Sequence, residues 1–320
     1  MATDRILVVG TPRSGTSWVG QALAAAQGAR EVGEPDNEDN FPYAIKAKAG
    51  LGRFPVVPAG SPGPPAYAAL WEGAFAGGRR VRGPATALSR SLHRAARTGG
   101  SVHGAGEWGA ARRALLASSV ALARPGGQVR GGPVVVKSVF VPLSLRWVCE
   151  RWSPRPVVVL RSPLNTVSSW HRLGWDPPFH RHPVIDGPGT GRGALAAVLP
   201  GRELPPAPAP GDRVRRLTWE LCVLVAALLD VGGERDDAVL VRHEDLCADP
   251  GQRFRELYDR LGLVWTERSD GYLRGSDAAG TGIYDTRRVA SEEPTRWRAR
   301  LSPHEAGEVT EVVESFGIAW

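Results

Sequence analysis

A glycine-containing segment near the N-terminus has the residue types that bind phosphate. It reads GTPRSGTSW, and Gly10 and Gly15 have the GxxxxG spacing of a P-loop. In such loops the backbone N–H groups and the N-terminus of the next helix bind phosphate oxygens. The lysine that follows the second glycine of a nucleoside triphosphatase is Thr16 here, and the cation lies earlier, at Arg13. The segment therefore predicts an anion site without the P-loop lysine. Its candidate ligands are Arg13, Ser14, Gly15, Thr16, Ser17 and Trp18.

Cations also stand at the ends of three apolar runs further along the chain. These runs end at Lys137, at Arg161 and at the pair Arg242 and His243. Ligands bind at the carboxyl ends of parallel strands, so these side chains should line one site. A magnesium-dependent nucleotidase usually places an aspartate at such a strand end to hold the metal. The sequence instead predicts a site in which side-chain cations neutralise the ligand, with no metal.

The elements that must position these residues follow from the hydrophobic pattern. Short runs rich in β-branched residues predict buried strands over 6–9, 134–136, 157–160 and 239–241, with a shorter fifth strand over 29–32. Helical periodicity predicts helices over 15–26, 143–152 and 164–173, and another after Asp249 and Pro250. Strands that alternate with helices predict an α/β fold with a P-loop-like, doubly wound parallel sheet flanked by helices.

Two regions rich in glycine and proline interrupt this pattern, at 51–65 and at 175–211. A loop as long as the second is either a solvated insertion or a cover over an active site. No repeat or linker divides the sequence. We therefore expect one domain over 1–320, with 175–211 as an insertion that could act as a lid.

Composition limits the class of protein. The 320 residues carry a formal charge of +7, which favours anionic partners. All but three of the 40 basic residues are arginines, an imbalance that a GC-rich genome explains without nucleic-acid binding. The three cysteines lie far apart and predict neither disulfides nor a zinc site. No long apolar run is present, so we expect a soluble, cytoplasmic protein without a membrane span.

Four segments in order along the chain resemble those of sulfotransferases that use 3′-phosphoadenosine 5′-phosphosulfate (PAPS). The segment GTPRSGTSW is similar to their 5′-phosphosulfate loop, in the arginine form of tyrosylprotein and carbohydrate sulfotransferases. VVVLRSP at 157–163, followed by VSS at 167–169, resembles their 3′-phosphate motif. VLVRHEDLCADP at 239–250 resembles their YEDL segment, and WRARLSP at 297–303 is similar to the C-terminal part of bacterial members.

The resemblance implies transfer of a sulfonate group from PAPS to a hydroxyl or amine, with adenosine 3′,5′-bisphosphate as product and no required metal. It implies that Arg161 and Ser169, eight residues apart, hold the 3′-phosphate. His243 stands where the family has a tyrosine that contacts adenine. Arg287 and Arg288 lie in the C-terminal region that supplies further 3′-phosphate ligands in the family.

Catalytic roles follow from the same resemblance. Arg13 and the loop around it would stabilise the departing phosphate, and Lys137 is a compact cation for the reacting group. A histidine two residues after such a lysine is absent, because Val139 is there. Members with the arginine form place a glutamate after the second strand, which makes Glu34 the candidate general base. His103 is the reserve candidate.

Alternatives remain at this point. Glu34 also belongs to the acidic run EPDNED, which could be a solvated loop, although it lacks the spacing of a calcium loop. Trp170, Trp175 and Phe179 could form an apolar acceptor pocket, and the acceptor could be a small molecule, a carbohydrate or a lipid. A P-loop kinase of nucleotides or small molecules is the alternative enzyme. A non-catalytic protein that binds nucleotide or nucleic acid is the other alternative.

Overall fold

The computed structural model describes residues 5–77, 84–98, 100–126, 131–175, 191–209, 211–278, 287 and 289–320. The side chains of 104, 191 and 192 lie outside this description. Phe179 and Arg288, which the sequence singled out, also lie outside the described residues, as do most of 175–211 before residue 191.

The described residues form a five-stranded sheet in the order β2-β3-β1-β4-β5, and every neighbouring pair is parallel. Val8 in the central strand is paired with Lys137 on one side and with Val157 on the other. All five predicted strands are therefore confirmed. Their bounds are β1 Arg5–Gly10, β2 Arg30–Gly33, β3 Val134–Ser138, β4 Arg155–Leu160 and β5 Val239–Arg242.

Helices flank both faces of this sheet, and the predicted helices after β1, β3 and β4 and after Asp249 are confirmed. The α-helices are α1 Thr16–Leu23, α2 Pro42–Ala47, α3 Pro65–Phe75, α4 Pro84–Ala96, α5 Ala110–Leu122, α6 Leu145–Trp152, α7 Pro163–Arg172, α8 Gly191–Ala196, α9 Arg213–Glu234, α10 His243–Ala248, α11 Pro250–Leu261, α12 Glu267–Ser276 and α13 Pro303–Ser315. Short 3-10 helices cover Val102–Glu107, Pro142–Ser144 and Ala290–Ala299.

The hydrophobic core lies in two layers, one on each face of the sheet. Ile6 and Val8 of β1 pack with α1 and α11, whereas Leu7 and Val9 pack in the opposite layer with α3, α6 and α9. This alternation is what a strand requires, because successive side chains point to opposite faces. The doubly wound α/β prediction is thus confirmed.

The topology also fixes where a ligand should bind. The connection after β1 crosses β3 to reach β2, and the connection after β4 runs to β5 in the opposite direction. Ligands of such sheets bind where neighbouring connections diverge. The carboxyl ends of β1 and β4 are that place, and they carry the loop before α1 and Arg161.

The region 51–64 contains no helix or strand, in agreement with the prediction of an irregular segment. The described part of 175–211 includes α8. Among the described residues, no helix is both long enough and apolar enough to cross a bilayer.

Candidate functional site: a cationic cleft at the carboxyl ends of the strands

The loop from residue 10 to residue 17, here called the glycine loop, turns sharply between β1 and α1. Arg13 and Gly15 both have positive φ, of 70° and 92°. A Cβ atom at Gly15 would lie 2.2 Å from Cδ2 of His243, so only glycine suits both the backbone and the close approach. Gly15 is the N-cap residue of α1, and its carbonyl accepts a hydrogen bond from Val19 N. The loop therefore presents the start of a helix to the cleft.

The 3′-phosphate motif lies against the glycine loop. Arg13 Nε donates to Ser169 Oγ at 3.2 Å, and Arg161 Nη1 donates to the carbonyl of Arg13 at 2.8 Å. Trp170 Nε1 donates to the carbonyl of Pro12 at 2.9 Å. The structure thus brings the two candidate phosphate motifs into contact, although they are about 150 residues apart in the sequence.

Two buried polar atoms at this end of the cleft lack a hydrogen-bond partner among the described residues. They are Ser14 Oγ and Arg161 Nε. Buried polar groups are nearly always hydrogen-bonded in native proteins. Ser14 is fully buried and does not line the cleft, because its Oγ lies against Gly10. Of the two residues only Arg161 lines the cleft, where its guanidinium suits an anionic ligand such as a nucleotide phosphate.

Glu293 is a partner of Arg161 that sequence reasoning missed. Arg161 Nη2 donates to Glu293 Oε2 at 2.7 Å, and both side chains are buried. The other oxygen of Glu293 forms an ion pair with Arg296. Nothing in the local sequence places Glu293 beside Arg161, because the two are 132 residues apart.

His243 closes the cleft near the start of α1. Its ring stands edge-on to Trp18, with 5.8 Å between the ring centroids. Burial, and then the charge of Arg161, lower the pKa of His243 well below its usual range, so the ring is neutral at pH 7. Trp18 Nε1 donates to Ser276 Oγ at 2.9 Å. The two rings stand at an angle of 66° to each other, and both line the cleft on this side.

Lys137 and Glu34 form an ion pair at the carboxyl ends of β2 and β3. The backbone N–H of Glu34 donates to the carbonyl of Lys137, and Asn37 Nδ2 donates to Glu34 Oε2 at 2.6 Å. Lys137 is 4% exposed. A Cβ atom added to Gly20 of α1 would lie 3.3 Å from the Cβ atom of Lys137. The first carbons of the Lys137 side chain are therefore packed closely against α1, and its ammonium lies against Glu34.

Several opposing effects act on the carboxylate of Glu34. Burial alone would raise its pKa, but the charge and hydrogen bond of Lys137 and the hydrogen bond of Asn37 outweigh burial and lower it. The charge of Arg53 acts in the same direction. Glu34 is consequently ionised at neutral pH, as a proton acceptor must be.

The acidic run EPDNED, residues 34–39 and here called the acidic loop, is paired and not simply solvated. Ser138 Oγ lies 2.8 and 2.7 Å from the two oxygens of Asp36, which is fully buried. Lys48 contacts the carbonyl of Asp36 at 3.2 Å and Glu38 Oε2 at 2.7 Å. Burial raises the pKa of Asp36 to about 6, against the opposing effects of Lys48 and Ser138. These contacts hold the acidic loop in a defined position in the fold.

His103 lies at the outer side of the acidic loop. Its Nε2 is 3.6 Å from Glu38 Oε2, and its side chain is 41% exposed. Burial lowers the pKa of His103, although the charge of Glu38 acts in the opposite direction. The contact joins His103 to Glu38 and not to the Glu34 and Lys137 pair.

The glycine loop and the Glu34 and Lys137 pair line one cleft with a volume of about 940 Å³, which Ser14 and His103 do not line. Trp175 lines the cleft, but Trp170 does not, because its ring is buried beneath the glycine loop. Trp170 therefore departs from the predicted acceptor contact, and its position suits support of the loop. Arg287 is exposed and is not among the lining residues. The predicted residues that do line the cleft are Arg13, Gly15, Thr16, Ser17, Trp18, Glu34, Lys137, Arg161, Ser169, Trp175 and His243.

Further cations line the same cleft. Arg172 lies one turn after Ser169 on α7, and Arg296 and Arg300 come from the C-terminal segment. Burial lowers the pKa of Arg300 to about 10, and the charges of Arg172 and Arg296 add to this. The sequence did not single out these arginines, because the chain contains many arginines and spacing alone did not separate them from the others. Among the described residues, no three His, Cys, Asp or Glu side chains cluster as a metal site would require.

Comparison with known proteins gives a short sequence match and longer structural ones. The chain is 35% identical to human carbohydrate sulfotransferase 3 over 63 residues, which are 19% of this chain and 13% of that relative. In structure it is similar to the sulfotransferase domain of the Synechococcus PCC 7002 olefin synthase, with a TM-score of 0.47 and 15% identity over 99% of this chain and 95% of that one. It is also similar to mouse sulfotransferase SULT7A1 complexed with PAP, with a TM-score of 0.42 and 11% identity over 98% of this chain and 83% of that one. The chain matches no protein-family model.

Proposed function

We propose that this chain transfers a sulfonate group from PAPS to a hydroxyl or amine of an acceptor. The observation that carries the proposal is the contact between the glycine loop and the second phosphate motif, in which Arg13 bonds Ser169 and Arg161 bonds the Arg13 carbonyl. Two anion-binding segments that meet at one strand switch point suit a ligand with two separate phosphate groups. The short match to carbohydrate sulfotransferase 3 supports the same activity.

The nucleotide would be held mainly by the chain's own cations and N–H groups. The start of α1 with Arg13 and Thr16 suits the 5′-phosphosulfate, and Arg161 with Ser169 suits the 3′-phosphate. Arg161 Nε has no hydrogen-bond partner among the described residues, and this gives the 3′-phosphate end spare hydrogen-bonding capacity. The neutral ring of His243 with Trp18 suits the base, in place of the tyrosine that the family uses.

Lys137 and Glu34 are the proposed catalytic pair. When bound, PAPS supplies an activated sulfonate group. The Lys137 ammonium would neutralise the charge that develops on this group, and Glu34 would accept the proton from the acceptor hydroxyl or amine. The ion pair between them fits this assignment, because both groups then lie at one place in the cleft.

The same ion pair links ligand binding to the strength of the base. Lys137 is the cation that lowers the pKa of Glu34 most strongly. An anionic ligand that attracts the ammonium away from Glu34 would remove this effect, and the pKa of Glu34 would rise. Glu34 would then bind a proton more tightly at the stage when the acceptor must lose one. Glu34 is thus the proposed base, ahead of His103, which contacts Glu38.

The proposed acceptor is a small molecule, a carbohydrate or a lipid. The wall near Glu34 includes Asn37, Asn40 and Arg53 as well as Phe140. The predicted apolar pocket has one described member in the cleft, Trp175.

The nucleotide preference tests the proposal. Adenosine 3′,5′-bisphosphate in EDTA should raise the melting temperature of the chain by several degrees, because ligand at about 100 times Kd stabilises the folded state by about 2.7 kcal/mol. ATP with Mg²⁺ should raise it much less. The reverse order would favour a P-loop kinase and would overturn the proposal. Incubation with labelled PAPS and an extract of the native cells, followed by mass spectrometry for an added sulfonate, would then identify the acceptor.

A further inference from the structure

The carboxylate of Glu293 lies against the cation that is proposed to hold the 3′-phosphate. Arg161 Nη2 donates to Glu293 Oε2 at 2.7 Å, and the two side chains are only 7% and 6% exposed. The other terminal nitrogen of Arg161 bonds the Arg13 carbonyl at 2.8 Å. An anion that belongs to the chain itself therefore already occupies part of the hydrogen-bonding edge of Arg161.

Glu293 has a second cation within reach. Its Oε1 forms an ion pair with Arg296, one turn later in the same segment. Arg296 lines the cleft and its side chain is 37% exposed, so it is not locked in the core. Glu293 can therefore keep an ionic partner if Arg161 turns to a ligand, which avoids an uncompensated buried charge.

A phosphate bound to Arg161 would bring a second negative group next to Glu293. Like charges close together in a buried site repel each other strongly, because the effective dielectric constant there is low. Either the phosphate binds less tightly, or Glu293 moves from Arg161 towards Arg296. In both cases part of the attraction between Arg161 and the phosphate is offset by the lost contact with Glu293.

We infer that Glu293 competes with the 3′-phosphate of the nucleotide for Arg161. This inference rests on the proposed function and adds a residue that sets nucleotide affinity. Donor and product share the 3′-phosphate, so a carboxylate that returns to Arg161 would also help the product leave. Product release limits turnover in many enzymes, so a residue that weakens product binding can raise the turnover rate.

Binding measurements on two nucleotides test the competition. Dissociation constants for adenosine 3′,5′-bisphosphate and for 5′-AMP would be measured by calorimetry with the unmodified chain, Glu293→Gln and Glu292→Gln. Glu293→Gln keeps the shape of the side chain and should bind the bisphosphate about tenfold more tightly, a gain of about 1.4 kcal/mol. The affinity for 5′-AMP should change less than about twofold, because 5′-AMP has no 3′-phosphate.

The Glu292→Gln variant is the matched control. It removes the same charge from the preceding residue, which is exposed and lines the same cleft, so a general charge effect would appear in both variants. The inference is supported if the ratio of the affinities for adenosine 3′,5′-bisphosphate and for 5′-AMP changes only in Glu293→Gln. Equal shifts in both variants, an unchanged ratio, or weaker bisphosphate binding in Glu293→Gln would overturn it.

A conservative variant covers the case in which Glu293→Gln does not fold. Glu293→Asp keeps the charge but shortens the reach to Arg161, so its bisphosphate affinity should exceed that of the unmodified chain. An affinity equal to or below that of the unmodified chain would contradict the inference. If the unmodified chain binds the bisphosphate no better than 5′-AMP, the proposed function fails and the inference fails with it. If the unmodified chain binds the bisphosphate better than 5′-AMP but the variants have the same affinities as the unmodified chain, only the inference about Glu293 fails.

Discussion

The glycine loop and the acidic loop face the same cleft, but their polar groups are satisfied in different ways. In the glycine loop, Ser14 Oγ is buried without a partner among the described residues, as is the Nε of the adjacent Arg161. In the acidic loop, the carboxylate of Asp36 bonds Ser138 and that of Glu38 bonds Lys48. Arg161 beside the glycine loop thus keeps hydrogen-bonding capacity for a ligand, whereas the acidic loop uses its capacity within the protein.

This difference suggests a division of labour. Spare donors at a helix N-terminus give affinity for an anion, since a ligand replaces interactions that are otherwise missing. Internal pairs give a fixed position, because each carboxylate is held by more than one contact. The glycine loop thus suits binding, and the acidic loop suits the exact placement of Glu34 beside Lys137. Variants on each side should separate affinity from rate.

Glu34→Gln should have the largest effect on rate. Loss of a general base typically lowers kcat by about 10²–10⁴-fold. The affinity for adenosine 3′,5′-bisphosphate should change little, because Glu34 lies at the acidic-loop end of the cleft. Single-turnover rates and calorimetry would measure the two quantities, with the exposed Glu314→Gln as control. A near-normal rate would remove Glu34 from the mechanism and with it the division between the loops.

Lys137→Arg should have the next largest effect. The guanidinium keeps the charge but is broader, and Lys137 lies in a narrow space against Gly20 and Glu34. Displacement of a reacting group by about 1 Å can cost about 100-fold in rate. Steady-state kinetics would measure kcat, and the melting temperature would show whether the fold is kept. Lys46→Arg, on the exposed side of α2, is the matched control. A rate equal to that of the unmodified chain would show that charge alone suffices at this position.

Asp36→Asn should have the smallest effect, and it should depend on pH. Burial raises the pKa of Asp36 to about 6, from the ordinary value of 3.8. A carboxyl with a raised pKa in the folded state favours folding most when it is protonated, and this contribution is lost as pH rises through about 6. The melting temperature of the unmodified chain should therefore fall relative to Asp36→Asn by roughly 2–4 °C between about pH 4 and pH 6. If the difference in melting temperature between the unmodified chain and Asp36→Asn stays constant across this window, the raised pKa of Asp36 is contradicted. The exposed Asp259→Asn variant is the control.

The strands and the glycine loop could be predicted from sequence because their signals are local. A run such as VVVLR contains both the strand and the cation that follows it, so Arg161 was identified together with its element. The glycine spacing of the loop also predicted the start of α1. Only α1, α6, α7 and α11 were predicted among the helices; the others, such as α3, were not. In α3, the buried Tyr67 and Trp71 belong to a segment rich in alanine and proline, where the hydrophobic period is weak.

The partners of the site residues were harder to predict, because they come from distant parts of the chain. Glu34 and Lys137 were each identified, but their ion pair joins residues 103 positions apart. Glu293 gave no signal, and Arg300 was part of the WRARLSP segment but was not singled out, since acidic and arginine residues are common in the C-terminal segment. The two tryptophans and the phenylalanine of the predicted acceptor pocket show a related limit. A spacing pattern does not tell whether an aromatic ring lines a cleft, as Trp175 does, or supports a loop from below, as Trp170 does.

The sheet order has a consequence for the time at which the protein can fold during synthesis. β1 pairs with β3 and β4, and β2 pairs with β3, so neither of the first two strands has a partner until about residue 134 has been made. Pairings over such distances slow folding, because a long stretch of chain must be closed first. Chains are made at roughly 5–20 residues per second, so the first strand waits for several seconds. The cleft is completed later still, since Glu293 reaches Arg161 only near the end of translation.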